Sequence, residues 1–370
     1  MIGLAFAAFL LFGVMLVLVG ASQADLARDL QLDLARSGLL ASLLAAGLGV
    51  GVLAAGPLVD RLPRRPLFVA ASLLVALGLG TVDRSMGFAR AGAHLVAVGV
   101  GLGVYETLLN AVVGEAYGAR AARPLLFVHA AATLGAMLGP GLAGWLSTWS
   151  DWSMGFRAVG AAHLPLAAAA LRVAFPPPRR AAALSHAGLL PPGALVRLLP
   201  FAAIAFAYVG VETALTVLAV PYATAALGLP QARGLAAISA FWAGLLVGRL
   251  GVLAIRGSID ARHLAVAGVA GSLVLALGVA AGTHAVEILF GATGACLGLV
   301  FPVMVALTGE SAGTARATAI GLVVSAGALG GFALPWIHGA LGDAAGPAVG
   351  VGALAVWAAV AACAARSARS

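Results

Sequence analysis

The sequence predicts an all-α integral membrane protein with twelve transmembrane helices in two pseudo-symmetric halves of six. The first observation is composition. Hydrophobic residues make up 62% of the 370 residues and charged residues only 9%, whereas a soluble domain carries about 25% charge and about 45–50% apolar residues. The second is a series of apolar spans, each close to the roughly 20 residues that cross a bilayer. The third is an internal repeat.

The repeat relates two segments that lie 195 residues apart. The positions Gly103, Gly114, Glu115, Gly118, Gly135 and Pro140 recur as Gly298, Gly309, Glu310, Gly313, Gly330 and Pro335. Glycine is abundant here, so one match carries little weight. Six matches at one offset, including a Glu and a Pro, indicate two homologous halves. Transporters use such repeats to expose a central site alternately to two sides.

Twelve spans follow from cutting the chain at its charged residues and its Gly/Pro clusters. The first has neither a basic segment before it nor a small-residue cleavage site, so we interpret it as a transmembrane helix rather than a signal peptide. The spans lie near residues 2–22, 37–59, 66–82, 91–116, 124–147, 154–175, 198–227, 234–256, 262–282, 285–308, 315–341 and 345–365.

A linker separates the two sets of six spans. Residues 176–180 read PPPRR, and prolines end a helix because they lack the backbone donor. We therefore predict an N-terminal six-helix bundle over residues 1–175, a cytoplasmic linker over 176–197 and a C-terminal six-helix bundle over 198–370.

Arginine distribution predicts the orientation. The sequence contains no lysine, and arginines collect in cytoplasmic loops. With the N-terminus inside, 15 of the 21 arginines fall on the inner side. This predicts a multi-pass protein of the inner membrane with both termini cytoplasmic. The arginines lie in short loops rather than in one patch, which argues against a nucleic-acid partner.

The loop between the second and third spans carries a family resemblance. Residues 56–65 read GPLVDRLPRR. This is similar to the signature loop of the major facilitator superfamily, in which Gly, three residues, Asp-Arg and one further residue precede Gly-Arg-Arg. Pro63 stands where the family has Gly. The resemblance implies the fold of that superfamily, and it implies that Asp60, Arg61 and Arg64 latch the cytoplasmic side.

Three further residues are candidates for the same cytoplasmic gate. Glu115 and Glu310 occupy equivalent places at the predicted cytoplasmic ends of their helices, and we expect both to pair with loop arginines. Arg249 follows Gly248 near the end of the eighth span, where it is interpreted as a snorkelling anchor or a gate residue rather than a ligand of the substrate.

Short segments of the fourth, seventh and eighth spans resemble a narrower group. Residues 105–110 read YETLLN and are similar to the Leu-Glu-Thr-Ala-Ala-Asn segment of the fucose:proton symporter family. The resemblance implies that Glu106 takes part in proton-coupled sugar transport. One difference stands out, because that family carries an acid in its first helix and no acid precedes Asp25 here.

Glu106 and Glu212 are the acids deepest within apolar spans. A carboxylate in mid-bilayer costs several kcal/mol, so such groups usually face the bundle interior and act in substrate or ion pathways. Desolvation disfavours the charged form, which suits both groups to load and release a proton. In the resembled superfamily, the helices that carry them line the central cavity.

Helical spacing places other polar residues beside these two acids. Side chains four residues apart share one face of a helix. The resulting candidates for proton or substrate contact are Glu106 and Asn110, Tyr208, Glu212 and Thr216, and His129 with its neighbour Thr133. Purely structural roles stay open for three of them. Glu106 and Asn110 could form hydrogen bonds between helices, and His129 could bond a carbonyl group.

The leading hypothesis is a secondary active transporter that moves a small polar solute by alternating access, with a sugar as candidate solute and with proton coupling. Its expected partners are the solute, protons and the lipid bilayer, and a monomer is expected. Efflux of amphipathic compounds is one alternative, because the cavity has few polar residues for a sugar, and a non-transporting receptor is another.

An enzyme is not expected. The sequence contains none of the common hydrolase, nucleotide-binding or metalloprotease motifs. Without lysine it has neither a Schiff-base residue nor a phosphate-loop lysine. Both cysteines fall in apolar spans, so no Cys-based metal site is predicted. We therefore expect no cofactor and no metal.

Overall fold

The computed structural model describes residues 1–177, 193–251, 260–312 and 316–368, and helices account for nearly all of them. The described α-helices are α1 (Ile2–Ala21), α2 (Gln23–Leu30), α3 (Leu34–Arg61), α4 (Arg64–Gly80), α5 (Phe88–Tyr117), α6 (Ala122–Ser147), α7 (Ser153–Arg172), α8 (Ala194–Pro221), α9 (Gln231–Gly251), α10 (Ala261–Ala280), α11 (Val286–Leu297), α12 (Val300–Ser311), α13 (Arg316–Ala345), α14 (Pro347–Gly352) and α15 (Leu354–Ser367). Within these ranges there is no β-strand.

Each of the twelve predicted spans corresponds to a helical segment of the structure. Among the described residues, 11 segments are long and apolar enough to cross a membrane. The remaining span is α4, whose 17 residues fall just short of that length. The count of twelve and the all-α membrane fold are therefore confirmed.

The break within the tenth span and the boundary between the eleventh and twelfth spans each have a local cause. α11 ends at Leu297 and α12 begins at Val300. Pro302 lacks the N–H that would bond the carbonyl of Gly298, and its ring would crowd that carbonyl. α13 stops at Ala345, where Gly346 adopts a φ of 96°, and Pro347 starts α14 at a position that suits proline.

The chain divides into two compact units. Unit 1 comprises Met1–Leu32 and Leu43–Ser185, and unit 2 comprises Asp33–Ser42 and His186–Ser370. Of the predicted linker at 176–197, residues 178–192 lie outside the described residues. In unit 1, α1 packs on α6 and α4 packs on α7. In unit 2, α8 packs on α13 and α9 packs on α11.

Two pairs of repeated glycines lie at close helix contacts within each unit. In unit 1, a Cβ on Gly135 of α6 would overlap the carbonyl of Leu10 in α1. In unit 2, the equivalent Gly330 of α13 lies equally close to the carbonyl of Phe206 in α8. Gly103 and Gly298 form a second such pair, against α3 and α9. The repeat therefore marks the places where helix backbones touch.

An acidic side chain ties together the ends of several helices in unit 1. The Asp29 carboxylate accepts hydrogen bonds from Arg28, from Arg84 at 3.0 Å and from the Trp152 indole at 2.9 Å. Trp152 is 4% exposed. Trp145 and Trp149 precede it closely in the sequence and are exposed, whereas Trp152 lies in the core of this end of the unit.

The first residues of α3 belong to unit 2. The Asp343 carboxylate on α13 accepts from the backbone N–H groups of Leu34 at 2.9 Å and Ala35 at 2.8 Å. Gly38 and Gly339 let the two backbones meet without a Cβ between them. Asp343 thus satisfies two of the donors that the start of a helix leaves without an intrahelical partner.

Candidate functional site

Glu106 lies in the middle of α5 and is half-buried. Its carboxyl makes no hydrogen bond and no ion pair with the residues that the structure describes. The preceding Tyr105 points into the core, where it is fully buried and donates to the Ala8 carbonyl at 3.3 Å. Glu106 is therefore a membrane-embedded carboxyl whose bonding capacity is not used by the described residues.

Asn110 and His129 meet one turn further along α5. The His129 Nε2 lies 3.1 Å from the Asn110 Oδ1, a hydrogen bond in which the amide oxygen is the acceptor. The His129 ring stacks edge-on against Phe9, with ring centroids 4.9 Å apart. α5 and α6 thus present an amide and an imidazole beside each other.

Thr133 shares the face of α6 with His129 but is almost fully buried, at 1% exposure. Its hydroxyl donates to the His129 carbonyl at 3.4 Å. The Thr133 hydroxyl therefore bonds within α6, on the side of the helix that faces the core.

Tyr208, Glu212 and Arg249 form a second polar cluster, inside unit 2. The Arg249 Nη2 donates to the Tyr208 Oη at 3.4 Å and lies 4.0 Å from the Glu212 Oε2. That carboxyl oxygen is sealed from solvent and has no hydrogen-bond partner within the described structure. The guanidinium and the carboxyl are therefore close enough to attract each other, at the outer limit of an ion pair.

Thr216 continues the same face of α8. Its hydroxyl donates to the Glu212 carbonyl at 2.9 Å and accepts from the Trp242 indole at 3.3 Å. Thr216 and Trp242 are 3% and 5% exposed, so they form the buried floor of this cluster. Phe301 stacks on Tyr208 with ring centroids 5.9 Å apart, and it occupies the repeat position equivalent to Glu106.

Arg64 and Glu115 form a bidentate ion pair in unit 1. The Arg64 Nη1 and Nη2 donate to the two Glu115 oxygens at 2.6 and 2.9 Å. The Arg64 side chain is fully buried, and Glu115 is 21% exposed. The pair joins the start of α4 to the end of α5, and Arg65 adds a bond to the Val173 carbonyl at 3.0 Å.

No comparable ion pair is present for Arg61 or Glu310 among the residues that the structure describes. Arg61 is exposed, and the side chain of Asp60 lies outside the described residues. Glu310 is exposed, with no ion pair to a described residue, and the side chain of Arg316 at the start of α13 is not described.

The structure therefore groups the candidate residues differently from the sequence in one respect. The sequence assigns Arg249 to a gate or anchor, whereas the structure places it beside Tyr208 and Glu212. Phe9, whose ring lies against His129, was not singled out as a candidate, because an apolar residue in an apolar span carries no signal of its own.

Comparison with known proteins identifies the family. The family model described as Major Facilitator Superfamily matches residues 4–291, which is more than half of the chain. No curated protein has a significantly similar sequence.

Solved structures share the fold over the whole chain. A bacterial homologue of the human lysosomal transporter Spinster, inward-facing and occupied, has 16% identity and a TM-score of 0.77, covering 100% of this chain and 96% of its own. The nucleoside transporter NupG has 15% identity and a TM-score of 0.79, covering 99% and 98%. A D-xylose–proton symporter has 15% identity and a TM-score of 0.77, covering 99% and 96%.

Proposed function

The chain belongs to the Major Facilitator Superfamily of membrane transporters, and we propose that it is a secondary active transporter that couples protons to the movement of a small polar solute. The observation that carries the proposal is the carboxyl of Glu106. It lies within a membrane-spanning helix and has no hydrogen bond or ion pair among the described residues. Intramembrane acids of this kind usually act in substrate or ion pathways.

Proton binding at Glu106 follows from its surroundings. A low-dielectric environment penalises the carboxylate more than the neutral acid, and no described cation neutralises the charge. A proton taken up from one side removes that penalty, and its release to the other side restores it. Alternate exposure of the group to the two sides then converts a proton gradient into directed movement.

Solute recognition is proposed for the polar side chains near each acid. Asn110 and His129 present donors and an acceptor beside Glu106. Tyr208, Glu212 and Arg249 offer a hydroxyl, a carboxyl and a guanidinium in one cluster. Such a set suits a solute with several hydroxyl or charged groups, and a sugar is the candidate class. One solved structure with this fold is a D-xylose–proton symporter, so the fold accommodates that activity.

We assign gating to the cytoplasmic loop between α3 and α4. Arg64 and Glu115 fix the start of α4 against α5, and this holds the loop that carries Asp60 and Arg61. In this proposal, Glu310 and its loop arginines play the equivalent part in unit 2. The inner membrane and cytoplasmic termini remain the predicted location and orientation.

Reconstitution in proteoliposomes tests the proposal. Vesicles with an imposed proton gradient are offered labelled sugars and other small polar solutes, and the accumulated solute is measured. The wild-type protein should concentrate one class of solute against its gradient. Glu106→Gln should abolish this accumulation, because a neutral amide carries no proton, while solute exchange without a gradient persists.

Glu287→Gln provides the matched control. Glu287 pairs with Arg233 at the start of α11 and has no part in the proposed coupling, and its substitution makes the same chemical change. Accumulation should persist in this variant. Undiminished accumulation in Glu106→Gln would show that the coupling role of Glu106 is wrong, and absence of flux for any solute in the wild type would favour the receptor alternative.

A further inference from the structure

A groove lies along an exposed face of α10 in unit 2, and the end of α15 borders it at Arg366. Its volume is about 460 Å³, and Arg262, Val266, Val269, Ala270, Leu273 and Arg366 contribute to its lining. The helices approach closely behind it, because Gly268 leaves no Cβ between α10 and the backbone of Ala358. Small alanine side chains and larger apolar side chains both line the groove, and we call the larger ones its wall.

The wall is an exposed apolar ridge on α10. Val266 is 68% exposed, Val269 40% and Leu273 54%. Their spacing of three and four residues puts them in one line along the helix. Since α10 is a membrane-spanning segment, this ridge faces hydrocarbon and is the right shape and polarity to lie against an acyl chain.

Both charged residues of the groove are arginines, and they lie at the same end. Arg262 stands in the first turn of α10 and Arg366 in the last turn of α15. Both are exposed. The arginine bias predicts this end to be cytoplasmic, where the surface of a bilayer is rich in anionic headgroups.

One acidic group borders the arginines. Asp260 is the N-cap of α10 and accepts from the Arg262 backbone N–H at 2.8 Å, a bond that lowers the pKa of this carboxyl. Its Oδ2 lies 3.5 Å from the Arg262 Nε, longer than a normal hydrogen bond. The Arg262 side chain is 75% exposed, so its terminal nitrogens stay accessible to a second anion.

We propose that this groove binds an anionic phospholipid of the bilayer, with the phosphate held by Arg262 and Arg366 and an acyl chain lying along Val266, Val269 and Leu273. Arginine matches phosphate geometry through paired N–H donors. Basic pockets between transmembrane helices next to an apolar face are typical of such lipid sites. This inference does not depend on the transported solute.

Lipid titration of the purified full-length protein in mild detergent tests the site. Phosphatidylglycerol and phosphatidylcholine with identical acyl chains are added, and the thermal midpoint of unfolding is recorded. We expect phosphatidylglycerol to raise the midpoint at a concentration on the order of thirtyfold lower than phosphatidylcholine. Inorganic phosphate alone should have no such effect, because it cannot occupy the apolar part of the groove.

Variants distinguish the contribution of the two arginines to lipid binding from that of the apolar groove. Arg262→Gln combined with Arg366→Gln should remove the preference for phosphatidylglycerol. Arg172→Gln, which alters an exposed arginine in the last turn of α7, should keep it. Ala270→Leu fills the groove and leaves both arginines in place. It should weaken the binding of phosphatidylglycerol, but this lipid should still stabilise the protein more than inorganic phosphate does.

Three results would overturn the proposal. The first is equal stabilisation of the wild type by both lipids. The second is a double arginine variant that retains the preference. The third is an effect of inorganic phosphate that matches that of phosphatidylglycerol, which would indicate a soluble anion instead of a lipid.

Discussion

The guanidinium of Arg64 is buried inside unit 1, where it bonds both oxygens of Glu115. Removal of one partner from a buried ion pair leaves an uncompensated charge, which costs about 3–5 kcal/mol. Glu115→Gln should therefore lower the free energy of unfolding by about that amount. Thermal or denaturant unfolding of the purified protein measures the change.

A double variant distinguishes the ion pair from simple loss of packing. Arg64→Met combined with Glu115→Gln removes both charges, so it should be more stable than Glu115→Gln alone. A single variant as stable as the wild type would show that the pair contributes nothing to the fold.

Asp29 makes the stability of unit 1 sensitive to acid. Burial on its own would raise the pKa of this carboxyl, but the bonds from Trp152, Arg28 and Arg84 outweigh it and lower the pKa. The folded state therefore binds the proton less readily than the unfolded chain. The stabilisation is complete above the ordinary Asp value of about 3.9, and it is lost as the pH falls through the lower folded value.

The expected result is a steep fall in the thermal midpoint below about pH 4 that is smaller in Asp29→Asn. Other carboxyls titrate in the same range, so the comparison between the two proteins isolates Asp29. Parallel pH profiles for the wild type and the variant would contradict the assignment.

The placement of some candidate residues could be predicted from the sequence, and that of others could not. The depth of Glu106 in an apolar span was sufficient to single it out. The approach of Arg249 to Tyr208 and Glu212 was not predictable, because it depends on how α8 and α9 pack. Likewise, arginines in loops are usually solvated, and the burial of Arg64 results from tertiary contacts with α5 that no local pattern encodes.

Among the helices, the repeated glycines mark contacts that tolerate no side chain. Gly135→Ala would push a Cβ into the Leu10 carbonyl on α1, and overpacking of this kind costs about 1–3 kcal/mol or more. Gly141 lies on the same helix with open space around it. Gly141→Ala should stabilise by about 0.5–1 kcal/mol, because alanine is the better helix former.

Unfolding free energies of the two variants measure this difference. Gly330→Ala should behave like Gly135→Ala, since it meets the Phe206 carbonyl in unit 2 in the same way. Equal stability of Gly135→Ala and Gly141→Ala would mean that the close contact is not a constraint on the fold.

Helix positions were predictable where the apolar spans were long and bounded by charge or proline. The structure moves most span ends by a few residues. α2 was not predicted, because QADLARDL is short and polar and carries no membrane signal. The break between α11 and α12 was also missed, since Pro302 stands in a continuous apolar run and its effect on Gly298 is a backbone effect.

The two units share one pattern of helix packing and differ in the polar side chains that the helices carry. Equivalent glycines pack equivalent helices in both units. The acid of α5 has no counterpart, because Phe301 occupies its place in unit 2. Composition and the repeat were enough to predict the fold, since both reflect the scaffold. The solute is not encoded in either, because it depends on a few side chains whose spatial grouping arises only on folding.

The central claim is that Glu106 couples protons to solute movement. De-energised cells that express the protein are followed with a pH electrode while sugars and other small polar solutes are added one at a time. The account predicts that the medium becomes alkaline with one class of solute and that Glu106→Gln removes this signal. Alkalinisation that is unchanged in Glu106→Gln would contradict it.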